Sequence, residues 1–359
     1  MVRKKLLLFC LVITIAACTP QSQFVPGVVP TLTPFQPIQN PPTLIPVPTS
    51  TPASPTTTIQ PLAPVPEAYL PYTIDYLRNR AYGGGQIEIL QVMEEKENFT
   101  RYLIRYPSDG LNIYGFVNVP KRDGPLPIII MIHGYEDANT STVLGYTIDT
   151  ADFFADNGYL VLHPNMRGYP PSDNGDNLYR VGLAVDVLNL IALVKDGASQ
   201  PGWLQSADPA RIGLWGHSLG GGVALRVATV SEDIKAVLLY AAISGDESKN
   251  AALFYQITGA STNLTELGTP PEIMAYISPA NYFDKITASV KLYHGSADEV
   301  VPVAWAMETC DALKANAIDV DCTYYIDGKH TFFSKFQPEF NNSMLAFFAA
   351  HLIESQTLN

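Results

Sequence analysis

The 359-residue chain is 47% hydrophobic, 10% aromatic and only 16% charged, which excludes a disordered polypeptide and suits one large domain or two small ones. Its net charge of −12 argues against a nucleic-acid partner and against a basic membrane-binding face.

Met1-Val2-Arg3-Lys4-Lys5 is basic and Leu6 to Ala17 is almost wholly apolar, the pattern of a secretory signal too short for an ordinary membrane span. The segment ends in Ile15-Ala16-Ala17-Cys18, which resembles a bacterial lipobox, where cleavage precedes a cysteine that carries diacylglycerol. Residues 1–17 are therefore expected to be removed, and Cys18 to anchor an extracytoplasmic protein in the bacterial cell membrane. From Thr19 to Pro66 the chain is rich in Pro, Thr and Ser and carries no charge. Proline lacks an amide hydrogen and fixes φ, so residues 18–66 are expected to be an extended tether.

Residues 67–359 have a globular composition. Ile87–Glu95, Arg101–Tyr106 and Leu111–Val119 have the alternation of strands joined by hairpins, with Ser108-Asp109-Gly110 as a turn. Continuous apolar strands and amphipathic helices then alternate. The pattern predicts strand Pro127–Ile132, helix Tyr146–Asn157, strand Tyr159–His163 and helix Val181–Lys195. It continues with strand Arg211–Trp215, a helix from Gly220 to about Val230, and strands Lys235–Ala241 and Val290–His294. Helix Val303–Ala315, strand Cys322–Ile326 and helix Pro338–Ile353 complete it. This is the pattern of an α/β, doubly wound, mostly parallel sheet with helices on both faces and antiparallel strands at its N-terminal edge. Ligands in such sheets bind beyond the carboxyl ends of the strands.

The excursion Gly245–Ala280 is expected to form a small cap over that end. Its Phe254, Tyr255, Met274 and Tyr276 would either line a pocket or pack in the core. Cys310, in a helical pattern, and Cys322, in the strand after it, are expected to form a disulfide outside the cytoplasm. No Cys-x-x-Cys or His-x-x-x-His spacing accompanies them, so no metal is expected. Gly220-Gly221-Gly222 is not part of a dinucleotide fingerprint, so no organic cofactor is expected either.

Gly216-His217-Ser218-Leu219-Gly220 falls between a predicted strand and a predicted helix, the context in which Gly-x-Ser-x-Gly forms a nucleophile elbow. A turn this sharp leaves no room for flanking side chains, and it lifts the serine hydroxyl above the sheet. A hydroxyl is a weak nucleophile unless a base takes its proton. In elbow hydrolases an acid and then a histidine follow the serine along the chain. His133, His163, His217 and His294 precede the acid or abut the serine, and His351 lies in the last predicted helix. That leaves His330, in the loop after the last strand, as the base. Asp298 is the expected acid, in a turn after Val290–His294. Glu299 is its rival, expected to face away from the His330 loop, and Asp327 is a more distant one. The amide of Leu219 at the helix start would meet a developing oxyanion. The amide of Tyr135, after Ile132-His133-Gly134, would be the second donor. The Tyr135 hydroxyl could instead line the pocket, and the sequence leaves both roles open.

From about residue 99 to 354 the sequence resembles the catalytic domain of the prolyl oligopeptidase and dienelactone hydrolase group of α/β-hydrolases. The resemblance rests on Ser108-Asp109-Gly110 before Ile113-Tyr114-Gly115, on His133-Gly134, and on Pro164-Asn165-Met166-Arg167-Gly168-Tyr169. It also rests on the elbow, Ser278-Pro279, His294-Gly295 with Asp298 and Val301-Pro302, and His330. It implies the α/β-hydrolase fold and a triad of Ser218, Asp298 and His330. Dienelactone hydrolases carry cysteine where Ser218 stands, which disfavours their chemistry. Oligopeptidases of the group carry a propeller ahead of the hydrolase, whereas here a tether and about twenty residues precede the first strand. The resemblance therefore points to secreted esterases, including those acting on acylated plant polysaccharides. The expected enzyme cleaves small-molecule or polymer-borne esters through an acyl-enzyme. The alternative is a serine-type peptidase acting on short peptides.

Overall fold

The computed structural model describes residues 64–259, 261–331 and 333–353. The expected signal peptide, Cys18 and the tether up to residue 63 lie outside the described residues.

The strands are β1 (Glu88–Glu95), β2 (Phe99–Ser108), β3 (Leu111–Pro120), β4 (Leu126–Ile132), β5 (Leu160–Pro164), β6 (Ala207–His217), β7 (Ile234–Tyr240), β8 (Ser289–Gly295) and β9 (Val320–Tyr325). They form one sheet in the order β1-β2-β3-β5-β4-β6-β7-β8-β9. Pairings from β1 to β5 are antiparallel, and those from β5 through β4 to β9 are parallel. The reason lies in the burial pattern. Every residue of β4 and β5 is buried, as strands covered on both faces must be, while β1 is an exposed edge whose register shifts twice against β2.

The helices are α1 (Ile74–Asn79), α2 (Ile148–Asp156), α3 (Val181–Ala198), α4 (Leu219–Val230), α5 (Glu247–Thr258), α6 (Ser261–Leu267), α7 (Pro271–Ile277), α8 (Val303–Ala315) and α9 (Phe333–Leu352). Side chains alternate across β4 and so feed two cores. Ile128, Ile130 and Ile132 pack with α1, α3 and α4 on one face. Ile129 and Met131 pack with Phe154 of α2 and with Phe340, Met344 and Phe348 of α9 on the other. This is the doubly wound α/β-hydrolase architecture.

Several boundaries differ from the sequence reading. Helix α2 begins at Ile148, which leaves Tyr146 in a loop, and α9 begins at Phe333, with Pro338 inside it rather than at its start. An internal proline forfeits one helix hydrogen bond, which tertiary packing of Phe340 and Met344 offsets. Helix α1, capped by the Thr73 hydroxyl at Tyr76 N, is too short to show a periodic pattern. The expected cap consists of α5, α6 and α7. Phe254 and Met274 pack in the core, one of the two expected roles, while Tyr255 is exposed.

A buried ionic network ties the cap to the sheet domain. Arg180 sits 2.5 Å from Glu247 and 2.9 Å from Glu266, and Arg226 sits 2.5 Å from Glu247. Removing one partner of such a buried set leaves an uncompensated charge, at a cost of about 3–5 kcal/mol. A disulfide joins Cys310 of α8 to Cys322 of β9, with Cα atoms 6.5 Å apart.

Candidate active site

Ser218 stands between β6 and α4 with φ 54° and ψ −117°, a left-handed conformation rare for a residue with a side chain. The glycines around it are there by necessity. A Cβ on Gly216 would lie 2.4 Å from the Gly220 carbonyl oxygen, and one on Gly220 would lie 2.0 Å from that of Ile132. Four backbone hydrogen bonds lock the turn: Ser218 N–H donates to Tyr240 O at 2.9 Å, and Ser218 O accepts from Gly221, Gly222 and Ile243.

Three loops beyond the carboxyl ends of β6, β8 and β9 bring the expected residues together. His330 Nε2 is 2.9 Å from Ser218 Oγ, and His330 Nδ1 is 2.9 Å from Asp298 Oδ2. Both distances are within direct proton-transfer reach. The Asp298 side chain is buried, and its Oδ1 accepts the amides of Val300 and Val301 at 2.8 Å each. Burial by itself would raise the Asp298 carboxyl. Hydrogen bonds from His294 and His330, and from the Val301 amide, outweigh it and hold the carboxyl well below the usual carboxylate range.

Glu299 departs from expectation. It does not face away from the base loop: its Oε2 accepts the main-chain N–H of His330 at 3.4 Å. The tight turn at Asp298 carries the next side chain round to the same loop. Asp327 is exposed and turns the base loop at φ 58°.

Leu219 opens α4, and the first amides of a helix have no intrahelical acceptor. Neither its N–H nor that of Tyr135 donates to a backbone acceptor among the described residues. The loop carrying Tyr135 presses close to the elbow, since a Cβ on Gly134 would be 3.2 Å from Ser218 Cβ. The Tyr135 ring is 47% exposed and lies 6.1 Å, edge-on, from Phe254 of the cap. The ring thus stands at the rim of the elbow, against the cap.

Three side chains around the site escaped the sequence reading. Tyr146 was hidden by its assignment to a helix, His217 by its adjacency to the serine, and His294 by preceding the acid. The Tyr146 hydroxyl accepts the Gly134 N–H at 2.8 Å and lies 2.5 Å from His217 Nδ1. His294 Nε2 lies 3.1 Å from Asp298 Oδ2 and 2.9 Å from Val301 O. Beneath the Tyr135 loop, burial pushes His133 down to about 4 and His163 to about 3, so both rings stay neutral where an exposed histidine titrates. The Arg167 motif serves the scaffold. Its guanidinium pairs with buried Asp186 at 2.8 Å, which also accepts from Ser108 at 2.6 Å.

Among the described residues no group of three or more His, Cys, Asp or Glu is arranged to hold a metal, and no helix is long and apolar enough to cross a membrane.

Residues 146–355, which include Ser218, Asp298 and His330, match the prolyl oligopeptidase family. The chain belongs to the prolyl oligopeptidase family. This family member is a serine hydrolase. Its fold is similar to that of acetyl xylan esterase 1 from Thermoanaerobacterium sp. JW/SL YS485, at 19% identity and a TM-score of 0.57, over 79% of this chain and 94% of that one. It is similar to acetyl xylan esterase from Paenibacillus sp. R4, at 20% identity and a TM-score of 0.57, over 78% of this chain and 92% of that one. The Pyrococcus horikoshii acylaminoacyl peptidase is similar at 21% identity and a TM-score of 0.56, over 72% of this prolyl oligopeptidase family chain but 42% of the peptidase.

Proposed function

We propose that this family member is a carboxylic-ester hydrolase in which Ser218 is the nucleophile, His330 the base and Asp298 the acid. The unbroken relay from Ser218 Oγ to His330 to Asp298, at 2.9 Å per step, carries the proposal. Ser218 Oγ attacks the ester carbonyl carbon while His330 Nε2 takes the hydroxyl proton. The amides of Leu219 and Tyr135 meet the oxyanion, helped by the positive end of α4. Collapse breaks the bond to the alcohol, which leaves with the proton from His330. Water then gives its proton to His330 and attacks the acyl-serine. The acid departs as the proton returns to Ser218.

Two observations favour esters over peptides. A peptidase that reads a free amino terminus needs uncommitted carboxylates near its site. The acidic pair of this cap, Glu247 and Glu266, is buried and already paired with Arg180 and Arg226. The chain's fold also matches nearly all of each acetyl xylan esterase. A panel of p-nitrophenyl acetate, acetylated xylan and aminoacyl p-nitroanilides tests the preference. The acetyl esters are expected to reach a kcat/KM of about 10⁴ M⁻¹s⁻¹ or more, with the anilides orders of magnitude lower. Comparable turnover of the anilides would make the enzyme a peptidase.

We further infer that the enzyme works outside the cytoplasm, held on the bacterial membrane through lipid on Cys18. The Ile15-Ala16-Ala17-Cys18 sequence and the Cys310–Cys322 disulfide support this reading. Grown with an alkynyl fatty acid, a bacterium expressing the protein should label wild type and not Cys18→Ser, and label on both or on neither would overturn the anchor.

A further inference from the structure

We propose that Tyr146 and His217 form a positioning strut that fixes the Tyr135 loop and the His330 loop relative to the elbow. The proposal rests on the triad reading above and deepens it.

The directions of its hydrogen bonds follow from what each group can donate. His217 Nε2 lies 3.3 Å from the main-chain oxygen of His330, and a carbonyl only accepts, so the ring proton sits on Nε2. A neutral imidazole has one N–H. Nδ1 is therefore the acceptor for the Tyr146 hydroxyl 2.5 Å away. The same hydroxyl accepts the Gly134 N–H. A directed chain results, from Gly134 N–H to Tyr146, from Tyr146 O–H to His217, and from His217 N–H to the His330 carbonyl.

The chain spans the machinery. Gly134 directly precedes Tyr135, and His217 directly precedes Ser218. Glu299 holds the N–H of His330 while His217 holds its C=O, so the base is restrained at both peptide groups as its ring bridges Asp298 and Ser218. None of these backbone groups is part of a helix or strand ladder, so side chains must supply their order.

The strut works only with a neutral His217. The titratable groups around it are Tyr146, Tyr240, His294, Asp298 and His330. Burial first, and then the neighbouring His330, push His217 down to about 3. A protonated ring would lose its acceptor for Tyr146, and it would place a cation 5.0 Å from the ring that takes the Ser218 proton.

Tyr146→Phe keeps the ring and removes the shared hydroxyl. Its kcat and kcat/KM are expected to fall together by about 10- to 100-fold with KM within about twofold, as for a group that orders the transition state and not the ground state. His217→Gln retains a donor for the His330 carbonyl and should keep more activity than His217→Phe, which retains ring volume without the bonds. A packing role predicts the opposite order, and that order would overturn the strut. Wild-type enzyme supplies a readout that needs no variant to fold. Histidine ¹⁵N NMR should find the His217 proton on Nε2, and no titration of that ring from about pH 5 to about pH 9. A proton on Nδ1, or a titrating ring, overturns the proposal. Inactivity of Ser218→Ala beside full activity of Tyr146→Phe would remove the strut and leave the triad standing.

Discussion

Ser218→Ala is expected to lower kcat for p-nitrophenyl acetate by about 10⁵- to 10⁶-fold while leaving the protein folded. The size of the loss follows from how the three side chains act. His330 Nε2 has one reactive partner, the Ser218 hydroxyl, and without it the relay has nothing to activate. In the proposed mechanism the amides of Leu219 and Tyr135 would remain to meet an oxyanion formed by attack of water, so a residue of catalysis should persist. The fold should survive because the elbow is held by main-chain bonds from Tyr240, Gly221, Gly222 and Ile243, none of which uses the hydroxyl. Thermal melting and far-ultraviolet circular dichroism should match wild type. A variant that keeps even a hundredth of wild-type turnover would remove Ser218 from its proposed role.

Asp298→Asn is expected to cost about 10⁴-fold in kcat, with the cause readable in the surrounding bonds. The amides of Val300 and Val301 both donate to Oδ1, so an asparagine must place its carbonyl oxygen there. Its NH₂ then occupies the place of Oδ2 and faces His330 Nδ1, 2.9 Å away in wild type. Facing a donor, Nδ1 becomes an acceptor, and the ring proton moves to Nε2, opposite the serine it should deprotonate. Steady-state kinetics should find KM little changed. Activity within tenfold of wild type would exclude Asp298 as the group that sets the tautomer.

The same carboxyl sets part of the acid response. Its folded value is depressed below the unfolded one, so its contribution to stability is fully present above about pH 4 and is lost as pH falls towards the folded value. In the Asn variant that part of the acid dependence should vanish, which chemical denaturation at a series of pH values would measure.

Much of this was legible in the chain. The apolar runs of β4 and β5, the helix of Val181 to Ala198 and the glycines around Ser218 are local signals, set by burial on both faces, by helical period and by steric exclusion. The order of serine, acid and histidine then selected Ser218, Asp298 and His330, because each lies just after a strand of one parallel sheet, and parallel strands put their following loops at one end. The Cys310–Cys322 bond followed from a helix that packs beside the next strand.

Only the tertiary structure decided where loop side chains point. Glu299 turns toward His330 because Asp298 closes a tight turn on the amides of Val300 and Val301, a direction that residue type does not encode. Tyr146 meets His217 across 71 residues, and Ser218 meets His330 across 112, distances over which no periodic pattern carries information. The pairing of Arg180 and Arg226 with Glu247 and Glu266 of the cap likewise joins remote segments, and no local pattern marks it. The sequence alone determined the sheet, its layers and the three candidate residues, because each rests on backbone geometry repeated along a segment. Their convergence, and the side chains that hold them in place, depended on loops whose conformation is set by contacts between remote parts of the chain.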